Sequence, residues 1–212
     1  MQGTQGLKPY RTIRENSETE TVIQRSRFLA RCLRIDAEAD AVKAIEAERK
    51  RFYDARHHCY AWRIGESGMY TRSSDDGEPS GTAGAPILNV LTANDVTNVL
   101  CVVTRYFGGI LLGTGGLTRA YGGAATSALE AAGILCMQPG TQFRAAMPYA
   151  LWAALESRVR QLCTVDDVSY AEQVTAMLWI RAEDCARVLT FLRERSDGRL
   201  TPEPLGESRR AV

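Results

Sequence analysis

Two stretches of the chain carry residue types that could do chemistry. Arg105 to Leu117 reads Arg-Tyr-Phe-Gly-Gly-Ile-Leu-Leu-Gly-Thr-Gly-Gly-Leu, the pattern of a strand end delivering a glycine-rich turn into a helix. Such a turn exposes backbone N–H groups at a helix N-terminus, where unpaired donors and the helix dipole together favour an anion. With Gly108 and Gly109 in the turn, the amides of Gly113, Thr114, Gly115 and Gly116 would cradle a phosphate. Arg105 and Arg119 would contact it, and Tyr106 and Phe107 could stack on bases. The competing place for both rings is the core, and for Phe107 the core is the stronger expectation.

The second stretch, Ser73 to Pro86, holds Asp75, Asp76 and Glu78 in a run too rich in Gly, Pro and small polar residues to be regular structure. Three clustered carboxylates suit a general acid/base or a Mg²⁺ role. They suit a solvated, capped turn as well: Asp76-Gly77 fits a tight turn, Gly81 continues the loop, Thr82 can cap the next helix, and Pro86 falls in its first turn. Without a metal these acids would repel phosphate.

His57 shares a face of a predicted strand with Cys59, and His57 and Arg56 count as secondary candidates. Alternation puts side chains two apart on one face at about 7 Å between Cα atoms, too far for a nucleophile pair. No second Cys/His pair stands at metal-ligand spacing, so no metal site is expected.

The elements that must position these residues follow from periodicity. Glu20 to Asp36 gives one or two antiparallel strands, and Asp36 to Phe52 a helix ending in Arg49, Lys50 and Arg51, which complement its dipole. Those three cations form a minor nucleic-acid candidate. Asn98 to Tyr106 is apolar on both faces, as a central strand would be. Gly113 to Gly133 is a helix of small residues in which Gly122 and Gly123 point to close packing. Pro139-Gly140 marks a boundary, beyond which strand, helix, two strands, helix and strand follow in the ferredoxin-like order.

The 212 residues, 45% apolar with a formal charge of +1, allow one generous or two small domains and exclude a globally basic protein. No DNA sequence specificity is expected. Six widely spaced cysteines read as reduced core residues. No apolar run reaches the ~18 residues of a membrane span, and no hydrophobic signal segment opens the chain, so a cytoplasmic protein without membrane contact is expected.

Four stretches in fixed order, Ser26-Arg27-Phe28, Ala55-Arg56-His57-His58-Cys59, Ser74 to Gly84 and Arg105 to Tyr121, resemble the YigZ family of bacterial proteins. That family shares its N-terminal domain with the eukaryotic translational regulator IMPACT. Two departures stand out: Phe52-Tyr53 replaces a common His-Pro, and Leu111 replaces a common Lys before the glycine turn. The resemblance implies an α+β protein with an N-terminal mixed β-sheet packed by helices, like the late domains of elongation factor G and GHMP-type kinases, and a C-terminal ferredoxin-like βαββαβ domain. The expected division is a lead-in over 1–18, the first domain over 19–138, the second over 139–206 and a frayed tail over 207–212. It further implies a non-enzymatic, translation-associated protein that contacts RNA, the ribosome or a translation-associated protein, with no cofactor. The alternatives are an enzyme acting on a phosphorylated small molecule or nucleotide with Mg²⁺, and a pure protein-interaction module. A site joining the acidic loop to the glycine turn requires the two to meet in space.

Overall fold

The computed structural model describes residues 7–212, so the first six residues of the expected lead-in lie outside it. The chain divides into one compact unit over Tyr10–Cys136 and another built from Met137–Val212. Together they make an α+β protein with two sheets and five α-helices among the described residues.

The first unit is a five-stranded sheet, ordered β2 (Ser17–Ile23), β3 (Ser26–Arg34), β6 (Val99–Tyr106), β4 (His57–Ile64), β5 (Tyr70–Ser74). Every neighbouring pair is antiparallel, so the sheet is not mixed as expected. β6 lies at its centre because both its faces are apolar: Cys101 and Val103 join one core cluster, Leu100 and Val102 the other. Helices α2 (Gly84–Ala93) and α3 (Gly113–Ala132) cover the first face, and α1 (Glu38–Arg51) covers the second.

α3 presents Ala120, Ala124, Ala128 and Ala132, all buried, and small side chains let the helix lie close to the sheet. Gly122 and Gly123 are not what brings it close, since a Cβ on Gly122 would make only ordinary contact with Pro86, at 4.0 Å, and one on Gly123 would meet nothing within 4 Å. β5 was not anticipated from sequence. The expected lead-in is also structured from β1 (Tyr10–Ile13) onward, because Ile13 is fully buried in the α3 core and Arg14 N donates to Gly133 O at 2.9 Å.

In the second unit β7 (Ile134–Met147), α4 (Tyr149–Leu162), β8 (Thr164–Tyr170), β9 (Val174–Arg181), α5 (Cys185–Arg195) and β10 (Glu203–Ala211) form a sheet ordered β10-β7-β9-β8. Pro139-Gly140 sits inside β7, where Gly140 leaves room for the Trp179 ring; a Cβ there would lie 2.5 Å from it. The expected tail is strand: β10 pairs with β7 out to Ala211, and Arg210 is held by Asp166 and by the Trp179 ring 5.1 Å away. Among the described residues no helix is long and apolar enough to cross a membrane.

Candidate functional site

β6 ends at Tyr106, and the strand's alternation decides what each residue there can do. Arg105 has the parity of Cys101 and Val103 and points to the α2/α3 side, beneath the loop that follows β5. The residue is 6% exposed. Its Nη1 donates to Glu78 Oε1 at 2.7 Å and Nη2 to Ser26 Oγ at 3.4 Å, while Nε has no partner among the described residues. Phe28 and Phe107 lie on it, with ring centroids 5.5 Å and 5.6 Å from Cζ. Tyr106 points to the opposite side, where its hydroxyl donates to Asp54 at 2.6 Å, so it cannot join a site with Arg105. Phe107 follows the strand's last residue, escapes its alternation and is 53% exposed, contrary to the expected core position.

The acidic loop reaches the same place, but its three carboxylates do different work. Asp75 accepts from Gly81 N at 2.8 Å through Oδ2, and from Ala83 N and Gly84 N at 2.9 and 2.8 Å through Oδ1. It therefore caps α2, a role expected of Thr82, whose hydroxyl instead donates to Pro79 O at 2.6 Å. Partial burial pushes the Asp75 carboxyl up, and the three backbone donors outweigh it, so its pKa lies below the usual value. Asp76 adopts a left-handed φ of 42° and is claimed by Arg49 Nη2 at 2.6 Å and His58 N at 2.7 Å. Gly77 (φ 87°) and Gly81 (φ 76°) supply the loop's other left-handed turns.

Glu78 alone turns inward, with a side chain only 4% exposed. Its Oε1 accepts from Arg105 and, at 2.7 Å, from the Tyr121 hydroxyl of α3. Burial and the nearby Cys59 and Glu78 raise the Tyr121 pKa, which keeps it a hydroxyl donor. Cys59, also beside Tyr121, is fully buried and pushed up to about 12, chiefly by desolvation, and is inert as a nucleophile at neutral pH. His57 does not pair with it. Its Nδ1 lies 2.9 Å from the Asp76 carbonyl oxygen, which can only accept, so Nδ1 carries a proton and Nε2 faces Glu78 Oε1 at 4.0 Å.

The loop and the glycine turn meet. Arg56, His57, Glu78, Pro79, Arg105, Phe107, Leu111, Leu112, Gly113, Thr114 and Leu117 line one cleft of about 420 Å³, the size of small-ligand sites. At its far end α3 starts without a side-chain cap, and Gly113, with φ 69° and open space where a Cβ would stand, opens its first turn. Arg56 is exposed on the rim and makes no ion pair among the described residues. Gly115 lies in the first turn of α3 and Arg119 one turn further on, with Arg119 Nη1 3.6 Å from where a Gly115 Cβ would be. Gly109 (φ 83°) also faces open space.

Other glycines serve packing. A Cβ on Gly108 would fall 2.0 Å from the Arg25 carbonyl carbon, and one on Gly116 would lie 3.0 Å from Leu112 Cβ. Gly108 N donates to Ser26 Oγ at 3.2 Å, so the β2–β3 hairpin braces the turn. No group of three or more His, Cys, Asp or Glu able to hold a metal gathers among the described residues. Of the minor basic candidate Arg49, Lys50 and Arg51, the two arginines are paired with Asp76 and Glu18.

Residues 24–129 match the family model "Impact N-terminal domain", and 146–199 match a domain of unknown function, DUF1949. The chain is 34% identical over 194 residues to "IMPACT family member YvyE" of Bacillus subtilis, covering 91% of this chain and 89% of that one. The chain belongs to the IMPACT family. The Escherichia coli member YigZ is 40% identical over 141 residues, 66% of this chain and 69% of that one. "Protein IMPACT" of Danio rerio is 44% identical over 69 residues, 31% of this chain and 21% of that protein, so the match to that eukaryotic protein covers under a third of this chain. A solved structure titled "Crystal structure of an hypothetical protein" matches with 32% identity and a TM-score of 0.60 over 94% of this chain and 98% of that one. This IMPACT-family chain thus keeps both cleft-forming stretches inside the matched first domain.

Ser26 and Tyr121 were not singled out as site residues from sequence, although each lies in a stretch that carries the resemblance. Tyr121 had one visible signal: it is the lone large polar-tipped residue of a helix face otherwise made of alanine and leucine.

Proposed function

We propose that this chain is a non-enzymatic, translation-associated binding protein of the cytoplasm whose first unit takes single-stranded RNA, on the ribosome or free, at the cleft between the Asp75 loop and the Gly113 turn. The observation that carries the reading is the convergence on one cleft of a helix N-terminus without a side-chain cap, an arginine with no ion pair among the described residues and a half-exposed aromatic ring. A phosphate fits the first two and a base the third. Arg105, the phosphate contact expected from sequence, is instead the cleft's buried support, and Arg56 takes its place. A Mg²⁺-assisted enzyme would need the loop carboxylates free, whereas Asp75 and Asp76 already hold backbone amides and Arg49. A protein-interaction module is favoured by one observation, the exposed apolar run Phe107, Ile110 and Leu111 at the cleft mouth.

The test is ribosome co-sedimentation and RNA binding across a salt series for the parent and Arg56→Ala. Phosphate contact makes affinity fall steeply with salt, and losing one contact lowers the log–log slope by about 1. Absence of binding at low salt overturns the RNA reading, and ribosome binding that is insensitive to salt shifts it to the protein-interaction module.

A further inference from the structure

The floor of the cleft differs from its rim. Glu78 is the one carboxylate that lines it, and its Oε1 is spent on Arg105 and Tyr121. Its Oε2 carries no hydrogen bond among the described residues and is the oxygen left for the cleft. Beside it stands His57, whose Nδ1 proton is committed to the Asp76 carbonyl, which leaves Nε2 as an acceptor in the neutral ring. With that ring neutral, neither Oε2 nor Nε2 donates. A carboxylate oxygen and an imidazole lone pair, walled by Pro79, Phe107 and Leu117, make a floor that only N–H or O–H donors can satisfy. A carbonyl oxygen pressed against it would leave three acceptors facing one another.

Resting on the RNA reading above, we propose that the cleft reads one unstacked nucleotide and selects bases that carry an exocyclic amino group. The amino N–H groups meet Glu78 Oε2 and His57 Nε2, the base lies on the free face of Phe107, and the phosphate stays at the rim with Arg56 and the Gly113 and Thr114 amides. Phe107 is suited to this because Arg105 holds its other face, so the ring is fixed before a base arrives. Cytosine, adenine and guanine offer an amino group. Uracil presents O4 where cytosine presents the amino nitrogen, and its single N3–H, flanked by two carbonyl oxygens, cannot serve both acceptors, so it binds more weakly. A carboxylate accepting from cytosine N4 is a known form of base-edge recognition, although there it reads a duplex groove.

Cytosine and uracil are nearly equal in size and stacking surface, so that pair isolates the edge. The test compares binding of oligocytidine and oligouridine of one length, about ten nucleotides, to the full chain at fixed salt. The parent binds oligocytidine about tenfold more tightly or better. In Glu78→Gln the carboxamide supplies a donor and the ratio falls toward one. In Phe107→Ala, which alters an exposed side chain, both affinities drop and the ratio is kept. Equal binding of the two oligomers by the parent, or tighter binding of oligouridine, overturns amino-group selection while leaving RNA binding standing. Binding of neither at low salt removes the RNA reading itself. Should Glu78→Gln melt below the assay temperature, the parent ratio and its survival in Phe107→Ala decide the matter, and a ratio lost in Phe107→Ala overturns the assignment of base reading to the floor.

Discussion

Arg105 and Glu78 form an ion pair at 2.7 Å with side chains 7% and 4% exposed, and this pair ties the strand end to the acidic loop. Removing one partner strands a charge in the interior, which costs about 3–5 kcal/mol, whereas removing both together costs less. Urea unfolding of Arg105→Met, Glu78→Leu and the double variant should therefore give a double-variant loss clearly smaller than the sum of the singles. Additive losses would mean that the pair is not coupled.

Asp75 makes stability depend on acid pH. Its folded pKa is lowered, so below the unfolded carboxylate value of about 3.9 the unfolded chain binds more protons than the folded one. Its stabilisation is full above that value and is lost as pH falls through the folded pKa. Asp75→Asn removes the capping charge and should cost about 0.5–2 kcal/mol at pH 7. Melting curves between neutral and acid pH should show the parent and the variant converging as pH falls. Curves that stay parallel would assign the acid sensitivity elsewhere.

His58 acts in a neighbouring window with the same sign. Burial, against weaker opposing effects of Asp76 and the Phe52 carbonyl, holds its pKa below the ordinary imidazole value. The unfolded chain therefore takes up a proton first as pH drops below about 6.5, and stability declines until the folded pKa is passed. His58→Gln keeps a donor near Phe52 O and has no charge to gain. Its melting temperature should be flatter than the parent's between neutral pH and the onset of carboxylate titration, and an unchanged slope there would sink the assignment.

Much of this fold is written in local pattern. β6 reads as central because six successive apolar or β-branched residues leave neither face for water, and the C-terminal unit's element order follows from its alternating and helical stripes. What pattern could not supply was long-range. Asp75 caps a helix that starts nine residues later because the loop folds back, and no propensity at Thr82 reveals that a carboxylate has taken the site. Tyr106 faces away from Arg105 and Phe107 lies exposed, because strand parity holds only to the last paired residue. β5 and the C-terminal strand are polar edge segments, whose order comes from pairing with β4 and β7 and not from apolar content.

The two glycines that follow Phe107 should respond oppositely in kind to the same change. Alanine at Gly108 would place its Cβ 2.0 Å from the Arg25 carbonyl carbon and 2.3 Å from Ser26 N, both backbone atoms of a hairpin whose turn residues already have left-handed φ values. That backbone has to move, which separates Gly108 N from Ser26 Oγ and loosens the support of Arg105. A loss of about 3 kcal/mol or more is expected, at the upper end of overpacking effects. Gly109 has a φ of 83° but meets nothing within 4 Å, so alanine there costs only the left-handed strain, about 1–2 kcal/mol. Urea unfolding separates them, and RNA binding adds a second axis: Gly108→Ala should weaken binding even where the chain remains folded, because it shifts the segment that carries Phe107. Equal stability losses, or a folded Gly108→Ala variant with unchanged affinity, would show that the hairpin does not brace the cleft.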